Sequence, residues 1–150
     1  MMRRVFVDTD VVLDLLLARE PFFPATTRLF LLFQEGKLEG CVSPLMFSNL
    51  FYILRKEMPA SQAVSTLRKL KLLTRVLPVD ERTIDLALAS SFKDFEDAIQ
   101  YYTALAHEID AIVTRNKRDY KTAKLPILNA EECLELYRTQ APSDDEALGL

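Results

Sequence analysis

Short apolar runs that break off at a polar residue alternate with longer stretches in which apolar residues recur every three or four positions. The first run, Arg-Val-Phe-Val at residues 4–7, stops abruptly at Asp8, the pattern of a strand buried on both faces. Residues 10–18 then read as a helix, with Val11, Leu15 and Ala18 at helical spacing. Pro21 and Pro24 break the chain before a second helix that runs to about residue 34 and is stopped by Gly36. Residues 38–42 form a second strand, and Ser43-Pro44 supplies the N-cap and first position of a helix running to about residue 57. Pro59-Ala60-Ser61 opens another helix, to about residue 72. Residues 75–79 make a third strand, which Pro78 places near a sheet edge. Helices over 81–90 and 95–109, strands at 111–113 and 127–128, and a helix over 130–138 complete the pattern.

Strands alternating with helices predict an α/β protein, a three-layer α/β/α sandwich around a mainly parallel sheet. A chain of 150 residues is enough for one core, and the pattern predicts a single domain over 1–139 with an acidic, disordered tail over 140–150. Only three glycines occur, which argues against an all-β design. No apolar run approaches the ~20 residues of a membrane span, and the N-terminal run meets Asp8 too soon for a signal peptide. Cys41 and Cys133 stand apart with no motif around them and read as reduced core residues, so a cytoplasmic setting is expected. The net charge of −3 is carried by the tail acids Asp144, Asp145 and Glu146. The body is neutral, so affinity for nucleic acid has to come from local clusters.

In parallel sheets, ligand sites form beyond the carboxyl ends of the strands. Asp8-Thr9-Asp10 follows the first strand, with Asp14 four residues on. Asp8 is the functional candidate there; Asp10 and Asp14 fit equally as a helix cap and a solvated surface charge. A second cluster, Asp94-Phe95-Glu96-Asp97, opens the helix over 95–109. Apolar spacing predicts that this helix buries Phe95, Ala98, Ile99, Tyr102 and Leu105. On that face Asp94 and Asp97 lie about 60° apart and Glu96 points away from both. Asp94 alone satisfies the cap, leaving Asp97 as the better ligand.

The third cluster follows the strand at 111–113: Thr114, Arg115, Asn116, Lys117, Arg118, Asp119 and Tyr120. Residues 115–124 hold five bases against one acid, so Thr114, Arg115, Lys117 and Arg118 are candidates for nucleic-acid contact. Asn116 and Asp119 offer oxygen donors. Asn49 shares a helical stripe with Met46 and Ile53, where an amide either orients carboxylates or ties a core network. His107, late in its helix, reads as a surface or helix-end residue.

In order and spacing these segments, VFVDTDVVLD, Asp97-Ala98 and IVTRNKRDY, resemble the PIN-domain family over roughly residues 4–138. Its best-known small members are bacterial VapC-type toxins, ribonucleases held by an antitoxin. The resemblance implies metal-assisted hydrolysis of RNA, with Asp8, Asp94, Asp97 and Asn116 catalytic and Asp8, Asp94, Asp97 and Asp119 holding Mg²⁺ or Mn²⁺. Thr9, Asp10 and Asn49 would line the site, with RNA, an antitoxin and a second copy of the chain as partners. Such proteins usually carry four acids. Asp8 and Asp97 match two, whereas Asn49 and Asn116 stand where the others are expected, with Asp94, Asp119 or Asp10 available to compensate. An amide offers a neutral oxygen to Mg²⁺ but no charge, so a weak or inactive PIN-like protein that binds RNA or an antitoxin is the alternative. VFVDTDVV is also similar to the Asp-x-Asp opening of haloacid-dehalogenase-like phosphatases, but Asp94 and Asp97 follow no apolar strand as that chemistry requires. Leu16, Leu29, Phe30 and Phe33 fit a dimer interface and core packing equally well.

Overall fold

The computed structural model describes residues 1–120 and 123–140, and five of its strands form one sheet. β1 (Arg4–Val7) is central, with β2 (Glu39–Val42) and then β3 (Arg75–Val76) on one side, and β4 (Ala111–Val113) and then β5 (Ile127–Leu128) on the other. Every pairing is parallel. The central strands are buried on both faces, which is why they read as unbroken apolar runs. β3 is an edge strand, as Pro78 required. Leu77 still donates its N–H to the Val42 carbonyl at 2.8 Å, and Pro78, with no N–H, ends the ladder.

Around the sheet lie α1 (Thr9–Leu16), α2 (Phe23–Gln34), α3 (Pro44–Leu54), α4 (Ala60–Leu73), α5 (Glu81–Leu88), α6 (Phe95–Ala106) and α7 (Ala130–Gln140), with a 3₁₀ turn at Lys117–Tyr120. α2 packs on α1 and α7, and α3 on α4, while α5 packs on α6, giving the two outer layers of the expected sandwich. The connections from β1 through β3 step outward in one direction. The α5–α6 connection then carries the chain back to the opposite side of β1. The strand order therefore reverses between β1 and β4, and loops diverging at such a point open a crevice beyond the strands' carboxyl ends.

Helix starts follow their sequence signals. Ser43 caps α3 with Pro44 at its first position, Asp80 caps α5 and Asp94 caps α6. Asn129 and Glu132 exchange hydrogen bonds at the start of α7 as a capping box. Four ends fall short of expectation: α1 stops at Leu16 instead of residue 18, α3 at Leu54 instead of about 57, α5 at Leu88 instead of 90, and α6 at Ala106 instead of 109. Ala18 and Glu108 adopt left-handed backbone, φ 49° and 56°, where the sequence offers no glycine to announce the stop. The predicted tail also starts later: Gln140 is the last residue of α7, and its side chain accepts from the Met2 N–H at 2.9 Å. The rest of that tail, residues 141–150, and the base at 121 lie outside the described residues.

Leu29, Phe30 and Phe33 are core residues of the chain and Leu16 packs against them, so these four are accounted for by core packing. The Phe33 ring lies directly over Gly40, where an added Cβ would meet it at 2.4 Å. Cys41 and Cys133 are free and buried, and burial pushes both thiols up to about 12. Among the described residues no helix is long and apolar enough to cross a membrane.

Candidate active site

Parallel register aligns Val7 with Val113, and Asp8 N–H continues the ladder to the Val113 carbonyl at 2.9 Å. Asp8 and Thr114 thus emerge side by side from the two central strands. Asp8, 6% exposed, is tightly held. Its Oδ1 accepts from the Thr9 N–H at 2.8 Å, so Asp8 rather than Asp10 caps α1. Its Oδ2 accepts from the Thr114 hydroxyl at 2.9 Å and the Tyr120 hydroxyl at 3.3 Å. Burial, aided by the charge of Asp10, pushes the Asp8 carboxyl up to about 6 despite these hydrogen bonds.

The second group comes from α6, whose inward face differs from the predicted one. Ala98, Ile99, Gln100, Tyr101, Thr103 and Ala104 are buried, while Phe95 and Leu105 are 47% and 41% exposed. The cause is that two inward positions are polar and carry their own partners. Thr103 donates to the Ile99 carbonyl at 2.7 Å. The Gln100 amide donates to Glu96 Oε1 at 3.1 Å and accepts from the Tyr120 hydroxyl at 3.2 Å. Apolar spacing selects the wrong stripe when the buried stripe is partly polar. Glu96, one turn before Gln100, therefore faces the site instead of pointing away, and the Thr9 hydroxyl reaches it at 3.5 Å. Asp94 caps α6 by accepting from the Asp97 N–H at 3.0 Å, and the Asp97 side chain faces the same cleft. Burial, then the charges of Asp8, Asp94, Asp119 and Glu96, pushes Asp97 up to about 7.

The loop after β4 is locked onto α1. Asp10 Oδ2 accepts from the Arg115 N–H at 3.0 Å and the Asn116 amide at 3.2 Å, and lies 3.4 Å from the Thr114 hydroxyl. Asp14 is 1% exposed, not a solvated surface charge, and both its oxygens accept from the Arg115 guanidinium, at 2.8 and 3.1 Å. The same guanidinium stacks on the Phe22 ring at 4.0 Å. Of the bases proposed to face nucleic acid, Arg115 is thus occupied by Asp14 and Lys117 by Glu132, while Arg118 is exposed with no ion pair among the described residues. Thr114 is fully buried, its hydroxyl spent on Asp8. His107 caps the end of α6, its ring nitrogen against the Pro78 carbonyl at 3.2 Å, well away from this site.

The acids that open α1 and α6 line one cleft of about 600 Å³, whereas Asp14, Thr114, Arg115, Lys117 and Arg118 are not among its lining residues. Six carboxylates contribute to it, those of Asp8, Asp10, Asp94, Glu96, Asp97 and Asp119, together with the amides of Asn49 and Asn116. Asn49 meets the cleft from α3, beside Tyr52 and Ile53. Burial first, and then neighbouring anions, raise the carboxyls of Asp8 and Asp97, and all the donors are oxygen, the set a hard divalent cation takes. Among the described residues no three acidic, His or Cys side chains are already drawn together as a closed cage. Mg²⁺ does not need one, because it is held by one or two carboxylates and keeps several waters. The residues present fit such an ion, with Asp8 and Asp97 as its anchors.

A PIN-domain family model matches residues 4–118. The chain belongs to the PIN-domain family. Membership removes the dehalogenase-like expectation, and the structure agrees, since the acids of α6 follow a helix and not a strand. This PIN domain is 23% identical over 141 residues to "Ribonuclease VapC1" of Aquifex aeolicus, spanning 91% of this chain and 96% of that protein. Its fold is similar to that of VapBC2 from Rickettsia felis bound to a promoter DNA fragment, with a TM-score of 0.62 and 14% identity over 84% of this chain and 98% of that one. It is also similar to the Mycobacterium tuberculosis toxin VapC20, which cleaves the sarcin-ricin loop, with a TM-score of 0.57 and 19% identity over 72% and 86% of the two chains.

Proposed function

We propose that this PIN domain is a divalent-cation-dependent ribonuclease that hydrolyses RNA phosphodiesters and is restrained by an antitoxin protein. The observation that carries the reading is the make-up of the cleft, six carboxylates and, among its described lining residues, no base. Such a surface repels a phosphodiester unless a cation stands between them. Mg²⁺ or Mn²⁺ at Asp8 and Asp97, with Asp94, Asp119 and Asn116 close by, meets both requirements. When bound, the cation supplies Lewis-acid polarisation of the phosphate and lowers the pKa of the attacking water. The protein's own contribution is positioning. Thr114 and Tyr120 fix the Asp8 carboxylate before any ligand arrives, and Asp97 sits at the positive end of the α6 dipole. Arg118, exposed next to Asp119 in the chain, is the base free to draw the RNA backbone in. The relative from Aquifex aeolicus is named a ribonuclease and the Rickettsia felis structure is a VapBC pair, which supports both the substrate class and the partner.

A protein that binds RNA or an antitoxin without turnover is the second reading. It is favoured by the neutral amides at Asn49 and Asn116, the latter already donating to Asp10. Incubation with single-stranded RNA separates the two. The nuclease is expected to cleave with Mg²⁺ or Mn²⁺, to stop on chelation, and to fall to background as Asp8→Ala. Retention of RNA without cleavage by the wild type, with either metal, establishes the binder instead.

A further inference from the structure

Glu96 is the one acid of the cleft whose orientation the sequence pattern reversed. We infer that Glu96 is a third carboxylate of the cation site, held toward the cleft by Gln100 and Thr9, an inference that rests on reading this cleft as a cation site.

A continuous ring of hydrogen bonds carries the argument. Asp8 Oδ2 (3.3 Å) and Gln100 Oε1 (3.2 Å) share the single proton of the Tyr120 hydroxyl between them, and Gln100 Nε2 donates to Glu96 Oε1 (3.1 Å). The Thr9 hydroxyl meets the same Glu96 oxygen at 3.5 Å, and the Thr9 N–H returns to Asp8 Oδ1 at 2.8 Å. Gln100 is 1% exposed and Tyr120 is 2% exposed. A buried amide costs free energy unless both its ends are paired, so Gln100 has to be partnered where it lies. Its two ends are spent on Glu96 and on the tyrosine that holds Asp8. The fold therefore uses buried polar groups to aim one carboxylate while fixing another.

The second Glu96 oxygen makes no hydrogen bond among the described residues, and the side chain lines the cleft with Asp8 and Asp97. Gln100 and Thr9 hold it there before any ligand arrives, which is the preorganisation a cation site requires.

Mn²⁺ uptake, measured by titration calorimetry and by the electron-spin signal of free Mn²⁺, tests the inference without reference to RNA cleavage. Glu96→Gln keeps the size of the side chain and an acceptor for Gln100 and Thr9, so its metal-free urea midpoint is expected to match or exceed the wild type's. Its Mn²⁺ affinity is expected to fall by about tenfold or more. Glu96→Asp keeps the charge on a shorter arm and is expected to lie between the two. Asp8→Asn is the control. If Asp8→Asn loses Mn²⁺ while Glu96→Gln binds within about twofold of wild type, the role of Glu96 is overturned and the cation site stands. If the wild type takes up no Mn²⁺, the cation reading itself falls, and the role of Glu96 with it.

Discussion

Asp14 and Arg115 show how much of this site rests on a single pair. The Asp14 carboxylate is 1% exposed, and Arg115 meets it with two hydrogen bonds while stacking on Phe22 and offering its backbone N–H to Asp10. A charged group so far from water is costly to bury unless it is paired and hydrogen-bonded, and that guanidinium is its partner. Arg115→Met is therefore expected to destabilise the fold by about 3 kcal/mol, and adding Asp14→Leu to recover part of that loss, because no unmatched charge then remains buried. Urea midpoints of the single and double variants measure this. An unchanged midpoint with weakened RNA binding would return Arg115 to the phosphate role its sequence context suggested. The contrast shows which site residues were legible. Asp8 and Asp97 follow a strand end and a helix start, features that local patterning marks. Asp14 depends on a partner 101 residues away, and Glu96 on Gln100, a polar residue whose burial apolar spacing does not reveal.

The same division between local and distant causes holds for the secondary structure. Helix starts were legible because a capping side chain and the N–H it accepts from lie within three residues, as at Ser43, Asp80 and Asp94. Helix ends were less legible, and glycine marks one of them. Gly36, at φ 70°, closes α2 with its N–H on the Phe33 carbonyl and that of Lys37 on the Leu32 carbonyl. α6 ends in related geometry, the Ile109 N–H on the Ala104 carbonyl, but with Glu108 in the left-handed position. Glu108→Gly is thus expected to raise stability by about 0.5–1 kcal/mol, the relief of side-chain strain exceeding the entropy glycine adds to the unfolded chain. Gly36→Ala is expected to shift it the other way by a similar amount. Nothing lies within 4 Å of the added Cβ there, so the cost is conformational and not steric. Urea melts read both, and a lowered midpoint for Glu108→Gly would show that the side chain has a compensating contact. The α6 face was misread for a different reason: Gln100 and Thr103 are polar yet buried, paired one turn back and, for Gln100, also with Tyr120, and apolar spacing does not count such positions.

At the scale of the whole molecule, the alternation of elements gave the layered class, but strand order depends on which side of β1 the returning chain joins, and no local pattern encodes that choice. The chosen side creates the reversal between β1 and β4 and, beyond it, a crevice that the fold fills with anions. The consequence is a pH dependence of global stability. Asp8 and Asp97, raised from the usual carboxylate range to about 6 and about 7, bind protons more tightly folded than unfolded. Stability of the metal-free protein therefore falls as pH rises from about 4 to about 7, and the loss is complete above that window. Its melting temperature is expected to be higher at pH 5 than at pH 8, by on the order of 5 °C. Mg²⁺ or Mn²⁺, binding only the folded and deprotonated cleft, is expected to restore stability at pH 8 and to do little at pH 5, where protons compete. Asp97→Asn removes one repelling charge whose side chain makes no hydrogen bond among the described residues, so it is expected to melt higher than wild type at pH 8, to match it near pH 5, and to respond less to the metal. Calorimetric scans of both proteins at the two pH values, with chelator and with Mn²⁺, decide the matter. Parallel pH profiles for the two would mean that the crowded acids do not hold the protons assigned to them, and the electrostatic case for a cation would lose its footing.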